Sequence, residues 1–261
     1  MDSEQAVAAD NSATSVPWTL GDMLRAILLF GLLLMTAIIV AILLQLYRTR
    51  ATSPPSPYLG GLFLLVLEAA MIIPVWLFTL RKYRCGWADL GLRPFQRGRA
   101  FGLMAGYFAL AFLINGTWAA IASLLDWQVQ PNVLPFFGGG VGGLAIALLA
   151  GGVVAPLVEE LFFRGFLFAG LWGRFGFRWA TVVSASFFAL VHFMPGALIP
   201  VFALGIFFCL LYSQTGSLWP SVIMHGIMNT LALLAAFLLQ TMGGAPGSQA
   251  LAALTHLLAP L

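Results

Sequence analysis

The chain has 261 residues, 61% of them hydrophobic and 8% charged, where soluble domains carry about 25% charged residues. That composition excludes a soluble globular domain and specifies an all-α integral membrane protein, a polytopic helical bundle of about 7–8 transmembrane helices. The formal charge of +3 is small and the basic residues lie at the ends of apolar runs, so they read as topology signals and not as a nucleic-acid footprint.

Residues 1–17 are rich in Ala, Ser and Asp and are expected to form a disordered tail. The acidic start, Asp2 and Glu4, argues against a signal peptide. A first span is expected over 26–44, closed by Arg48 and Arg50 and followed by the stiff connector 53–57. The second, over 60–80, carries Glu68 in its interior and Pro74 as a kink. The third covers 101–125 and ends in a polar turn, 126–135. The fourth segment, 139–171, contains Gly151, Gly152 and Pro156, which make it either one tilted helix or two pieces. Arg174 and Arg178 end it; a fifth span then runs over 179–194 until Pro195-Gly196. The sixth and seventh are expected over 198–212 and 218–240. The chain thus divides into the tail 1–17, two spans and a basic loop over 18–100, a core over 101–240, and a tail over 241–261 in which 251–258 reads as a short interfacial helix or a frayed end. Cys85 and Cys209 stand far apart without CxxC spacing, so they suggest neither a disulfide framework nor a thiolate metal site.

The loop 81–99 holds six basic residues and the loop 47–58 two. Short-loop charge therefore places 81–99, the N-terminus, Arg174 and Arg178 on the cytoplasmic side. With seven spans the C-terminus lies outside; a split fourth segment reverses that. The expected location is the bacterial inner membrane, multi-pass.

Charge inside a span is expensive and by default functional. Glu159, Glu160 and Arg164 sit in one apolar stretch. Glu160 and Arg164, four residues apart, share a helical face and can neutralise each other, whereas Glu159 points about 100° away and lacks a local partner. A buried pair of this kind is often purely architectural. His192 and His225 lie within spans; Phe188 precedes the first by four residues and Asn229 follows the second by four, so each pair shares a face. Singly, such histidines and asparagines are more often interhelical hydrogen bonders. At ~1.5 Å rise per residue, Glu159, His192 and His225 fall in one layer between the middle and the cytoplasmic half of the membrane. A carboxylate, two imidazoles and an amide suit hydrolysis: the carboxylate takes a proton from water, one imidazole assists, and the other with the amide stabilises an oxyanion. The set Glu159, His192 and His225 would equally suit zinc, with the other glutamate as base, although the HExxH signature is absent. Glu68 belongs to no motif, and His256 reads as a solvated tail residue.

The order Glu159-Glu160-Leu161-Phe162-Phe163-Arg164, Phe188-Ala189-Leu190-Val191-His192 and His225-Gly226-Ile227-Met228-Asn229 resembles the CPBP family of intramembrane proteases, which includes type II CAAX prenyl endopeptidases and bacteriocin-processing or immunity proteins. Ala155-Pro156-Leu157, Gly165 and the Asp89-Leu90-Gly91-Leu92-Arg93-Pro94 loop agree with it. The resemblance covers 139–240 and implies a helical membrane endopeptidase that cuts a membrane-associated peptide or protein, a prenylated CAAX-type chain among the candidates, among membrane lipids and without nucleic acid. It implies that Glu159 and His192 activate water, that His225 and Asn229 stabilise the oxyanion, and that Glu160, Arg164 and Phe188 order the site. The family is described both as glutamate-type and as metal-dependent, so the cofactor is either none or zinc. A non-catalytic scaffold and a proton-coupled carrier using Glu68, Glu159 and Glu160 are the competing readings; no internal repeat supports the carrier.

Overall fold

The computed structural model describes residues 16–50, 56–125 and 133–242. The tails 1–15 and 243–261, most of the connector 53–57 and the polar turn 126–132 lie outside the described residues, as does the expected helix 251–258. Among the described residues the regular structure is helical throughout. Helix α1 spans Leu20–Arg50, α2 Leu59–Arg81 and α3 Arg97–Leu124. A continuous stretch of 52 residues, Gly140–Val191, is broken at Gly176, where φ is 77° and ψ 164°. It therefore forms two rods, α4 (140–175) and α5 (177–191). Helices α6 (Leu198–Thr215) and α7 (Trp219–Met242) complete the bundle. Six continuous stretches are long and apolar enough to cross a bilayer, and the break at Gly176 makes them seven rods, as the polytopic helical reading requires.

Local chemistry explains where the rods begin and end. Thr19 and Asp22 form a capping box, with Thr19 N donating to Asp22 Oδ2 at 3.0 Å and Asp22 N to Thr19 Oγ1 at 3.2 Å. This starts α1 at Leu20, ahead of the apolar run at 26. Pro74 interrupts α2 at Met71, because a proline cannot donate to the preceding turn and its ring crowds that turn's carbonyl. The expected fifth span stops short of Met194: α5 ends at Val191 and His192 is its C-terminal cap. Pro195 explains the correction, since its ring would clash with the carbonyl of Val191, four residues earlier. His192 therefore closes a helix and does not lie inside one.

The rods alternate in direction, and their ends confirm it. Arg174 Nη2 donates to Trp18 O at 2.5 Å, Lys82 Nζ lies 2.5 Å from Asp22 Oδ1, and Leu218 N donates to Gly91 O at 2.8 Å. The start of α1, the end of α2, the loop after it, the end of α4 and the α6–α7 turn thus meet at one end of the bundle, which is also the basic end. Leu24, Leu28, Leu32, Met35 and Ile39 form an exposed apolar stripe along α1, the face a bilayer covers. The centre is aromatic: Phe162, Phe163, Phe166, Phe188 and Phe208 are fully buried around α4, and Phe30 of α1 stacks on Phe162 at 4.6 Å.

Candidate active site

Helix α4 is one piece through Gly151, Gly152 and Pro156, because it changes its hydrogen-bond register where an α-helix would break. Leu148–Val154 is a π-helix, Ala155–Glu160 returns to α geometry, and Leu161–Phe168 is π again. Pro156 has no N–H, so it can serve neither the carbonyl four residues back nor the one five back, that of Gly151. In lipid such a freed carbonyl must find a donor. Asn229 Nδ2 of α7 supplies it to Gly151 O at 2.8 Å. In the second π stretch Ser184 Oγ of α5 donates to Phe163 O at 2.9 Å, and Trp18 Nε1 donates to Phe166 O at 3.0 Å. The three repairs tie α7, α5 and the segment before α1 to α4 around the turn that carries the two glutamates. π segments inside α-helices concentrate at functional sites.

Gly152 and Gly226 allow α4 and α7 to approach at that turn: a Cβ on Gly226 would lie 2.7 Å from Gly152 O, and one on Gly152 2.6 Å from Thr230 Oγ1. The approach brings His225 between the carboxylates. His225 Nδ1 lies 3.2 Å from Glu160 Oε1 and Nε2 lies 3.8 Å from Glu159 Oε2. Arg164 Nη1 donates to the same Glu160 oxygen at 2.9 Å, its Nη2 donates to Gly205 O of α6 at 3.2 Å, and its guanidinium lies over Phe188 at 4.3 Å and Phe208 at 5.0 Å. Glu160 and Arg164 are both 0% exposed, so neither charge has water to turn to and each depends on the other. Glu159 differs in that its side chain keeps 18% exposure; its buried Oε2, like Glu160 Oε2, has no hydrogen-bond partner. The 3.8 Å gap to His225 is too long for a hydrogen bond, which leaves both atoms available to a third group.

Phe188 is the hub of the remaining residues. Its ring lies 4.6 Å from that of His192 and 5.9 Å from that of His225, while Phe208 stacks on His225 at 4.9 Å. His192 Nδ1 bonds to Phe188 O at 2.6 Å. In the tautomer whose Nδ1 donates, Nε2 of each ring is an acceptor. Glu160 thus touches Arg164 and His225, and His225 also faces Glu159, with Phe188 packed against the group and His192 attached through it. Asn229 is anchored to the backbone by one N–H, and its Oδ1 is buried without a partner.

The donor atoms of Glu159, His192 and His225 are of the kind zinc takes, and anchoring through Nδ1 to a carbonyl or carboxylate is how zinc-bound imidazoles are held. As arranged, however, no three His, Cys, Asp or Glu side chains among the described residues converge closely enough to hold an ion.

Sequence reasoning left one carboxylate unassigned that the fold brings here. Glu68, three residues before the interruption in α2, lies on the helical stretch that packs against the glutamate turn of α4, and its Oε2 is buried without a partner. Its presence inside a span was the available signal. Gly205 O and Phe208, which hold Arg164 and His225, gave none, being ordinary apolar-helix residues.

The family comparison falls on the segment that carries these residues. Residues 141–231 match the family model described as type II CAAX prenyl endopeptidase Rce1-like. A curated relative, named "Putative membrane peptidase YdiL" of Bacillus subtilis (strain 168), is 28% identical over 94 residues, which cover 36% of this chain and 38% of the relative. No solved structure matches. The matched segment contains every motif residue on α4, α5 and α7 and excludes Glu68 and the 81–99 loop. Over residues 141–231, then, the chain is similar to the Rce1-like family of type II CAAX prenyl endopeptidases, the kind of protein its three motifs resemble.

Proposed function

We propose that the protein is an intramembrane endopeptidase that hydrolyses a peptide bond of a membrane-associated protein or peptide, a prenylated CAAX-type chain among the candidates. The observation that carries this reading is His225 lying between two carboxylates, one paired and one free. Arg164 neutralises Glu160, Glu160 fixes the imidazole through Nδ1, and Nε2 faces the free oxygen of Glu159. In this reading Glu159 takes a proton from water as the water oxygen attacks the scissile carbonyl. His192 Nε2, the second acceptor, assists from across Phe188. The second N–H of Asn229 and His225, once protonated at Nε2, donate to the oxyanion. As the C–N bond breaks, the proton held at Glu159 passes to the leaving amine. As arranged, Glu159, His192 and His225 do not converge on an ion, so no step of this reading passes through zinc. The N-terminus is assigned to the cytoplasm, which sets the basic end of the bundle on that side.

The test is cleavage of a prenylated CAAX peptide and of an unprenylated membrane-anchored peptide by the detergent-purified chain, with and without a strong chelator. Glu159→Ala is expected to lower kcat by about 10²–10⁴-fold. Equal cleavage by wild type and Glu159→Ala would sink the proposal and favour the scaffold reading. Loss of cleavage in chelator, restored by zinc, would assign the metal.

A further inference from the structure

A cavity of ≈ 600 Å³ lies away from Glu159, at the basic end of the bundle, where the start of α1, the loop after α2 and the ends of α4 and α6 meet. That volume falls within the range of small-molecule pockets. Its wall combines two kinds of residue: the basic Arg84 and Arg93, and the aromatic Tyr83, Trp172 and Tyr212. Asp89 also lines it, but Asp89 Oδ2 is engaged by Gly86 N at 2.7 Å. The neighbouring charges are likewise committed. Asp22 is bound to Lys82 and Tyr83, and Arg174 donates to Gly170 O and Trp18 O. Among the described residues neither Arg84 nor Arg93 forms an ion pair; Arg93 reaches the Tyr212 side chain. Arg84 is held at φ 56°, a left-handed conformation that is uncommon for a residue with a Cβ.

Two arginines without a carboxylate partner select an oxyanion, and guanidinium geometry suits phosphate. Tryptophan and tyrosine are the residues that sit at headgroup level, and basic pockets between transmembrane helices take phosphorylated headgroups. The remaining basic residues of the 81–99 loop lie at the same end and draw anionic lipid towards it. We propose that this cavity binds the phosphate of an anionic phospholipid headgroup, held by Arg84 and Arg93 and packed by Trp172. Such a ligand would also brace the loop against α4. Leu90 O lies 2.6 Å from where a Cβ on Gly165 would stand, so the loop rests against α4 at the residue that follows Arg164.

Cys85 lines the cavity and Cys209, the other cysteine, is fully buried, so alkylation of the full chain in an uncharged detergent reads this site. Burial and the Asp89 carboxylate push the Cys85 thiol above its usual range, and the reaction is therefore followed at about pH 8.5 or above. Dihexanoyl phosphatidylglycerol is expected to protect Cys85 saturably, and less well as salt is raised. Arg84→Gln and Arg93→Gln should each raise the half-protecting concentration about fivefold, with unchanged unfolding midpoints, while Arg84→Lys and Arg93→Lys keep most of the protection. Equal protection by dihexanoyl phosphatidylcholine would overturn the proposal by showing that only the acyl chains matter. Equal protection by inorganic phosphate, or protection by a peptide carboxylate and not by the lipid, would overturn it by naming another ligand. So would full protection in a folded Arg84→Gln/Arg93→Gln variant.

Discussion

Replacing Arg164 by methionine removes a guanidinium that is 0% exposed. It loses the 2.9 Å bond to Glu160, the 3.2 Å bond to Gly205 O and the 4.3 Å contact with the Phe188 ring. Methionine is flexible enough to occupy much of the vacated space, so the electrostatic loss dominates. Glu160, equally buried, keeps His225 Nδ1 at 3.2 Å as its remaining partner. Stranding one member of a buried ion pair costs about 3–5 kcal/mol, whereas an interhelical hydrogen bond in a membrane averages about 0.6 kcal/mol. These magnitudes differ enough to separate a charged pair from a neutral one. Reversible unfolding of the detergent-solubilised chain by titration with SDS should show Arg164→Met less stable by about 3–5 kcal/mol. The double variant Arg164→Met/Glu160→Leu strands no charge, so it should recover most of that loss. It should still fail to cleave, because His225 Nδ1 has lost the carboxylate that orients it. A loss below about 1 kcal/mol in the single variant would refute the charged pair. A double variant no more stable than the single would refute the explanation that an isolated buried carboxylate is what destabilises it.

Two further outcomes test the packing around α4. Gly165→Ala places a Cβ 2.6 Å from the backbone oxygen of Leu90 and 3.0 Å from Leu218 Cδ1, so it should destabilise by about 1–3 kcal/mol in the same titration. Gly106→Ala in α3, where a Cβ meets nothing within 4 Å, should instead stabilise by up to about 1 kcal/mol; similar values for the two would contradict the close approach of the loop to α4. Asn229→Leu leaves Gly151 O without its 2.8 Å donor and should cost about 1 kcal/mol of stability. If its second N–H serves the oxyanion, kcat should fall by about 10²–10³-fold, far more than the stability change explains; a kcat within a fewfold of wild type would make Asn229 a purely structural residue.

The parts of the site that were legible in the sequence are those set by short-range geometry. Glu160 and Arg164 are four residues apart, which puts them on one helical face before any packing is known, and they do pair. Phe188 and His192 touch for the same reason. The π stretches were not legible, since a shift of the hydrogen-bond register leaves the apolar pattern unchanged; Pro156 supplied the local reason only once Asn229 was seen to take the Gly151 carbonyl. His192 was expected inside a span because its neighbours are apolar, and the end of α5 at Val191 depends on Pro195, a cue available in the chain. Glu68 was visible as an anomaly but its helical stretch was not visible as a neighbour of the glutamate turn, because that proximity comes from α2 packing against a helix distant in sequence.

By itself the sequence determined that the chain is an all-helical membrane protein, where its apolar rods lie, and which few polar residues they carry. These follow from hydropathy and helical period, which act over one or two turns. Only the tertiary structure decided which carboxylate stays free. Nothing local separates Glu159 from Glu160 except rotation about one helix. It is the approach of α7 through Gly152 and Gly226, and of α6 through Gly205, that commits Glu160 to Arg164 and His225 and leaves Glu159 Oε2 unbonded. In a medium where every polar group must find a partner inside the protein, that choice belongs to the packing of distant segments.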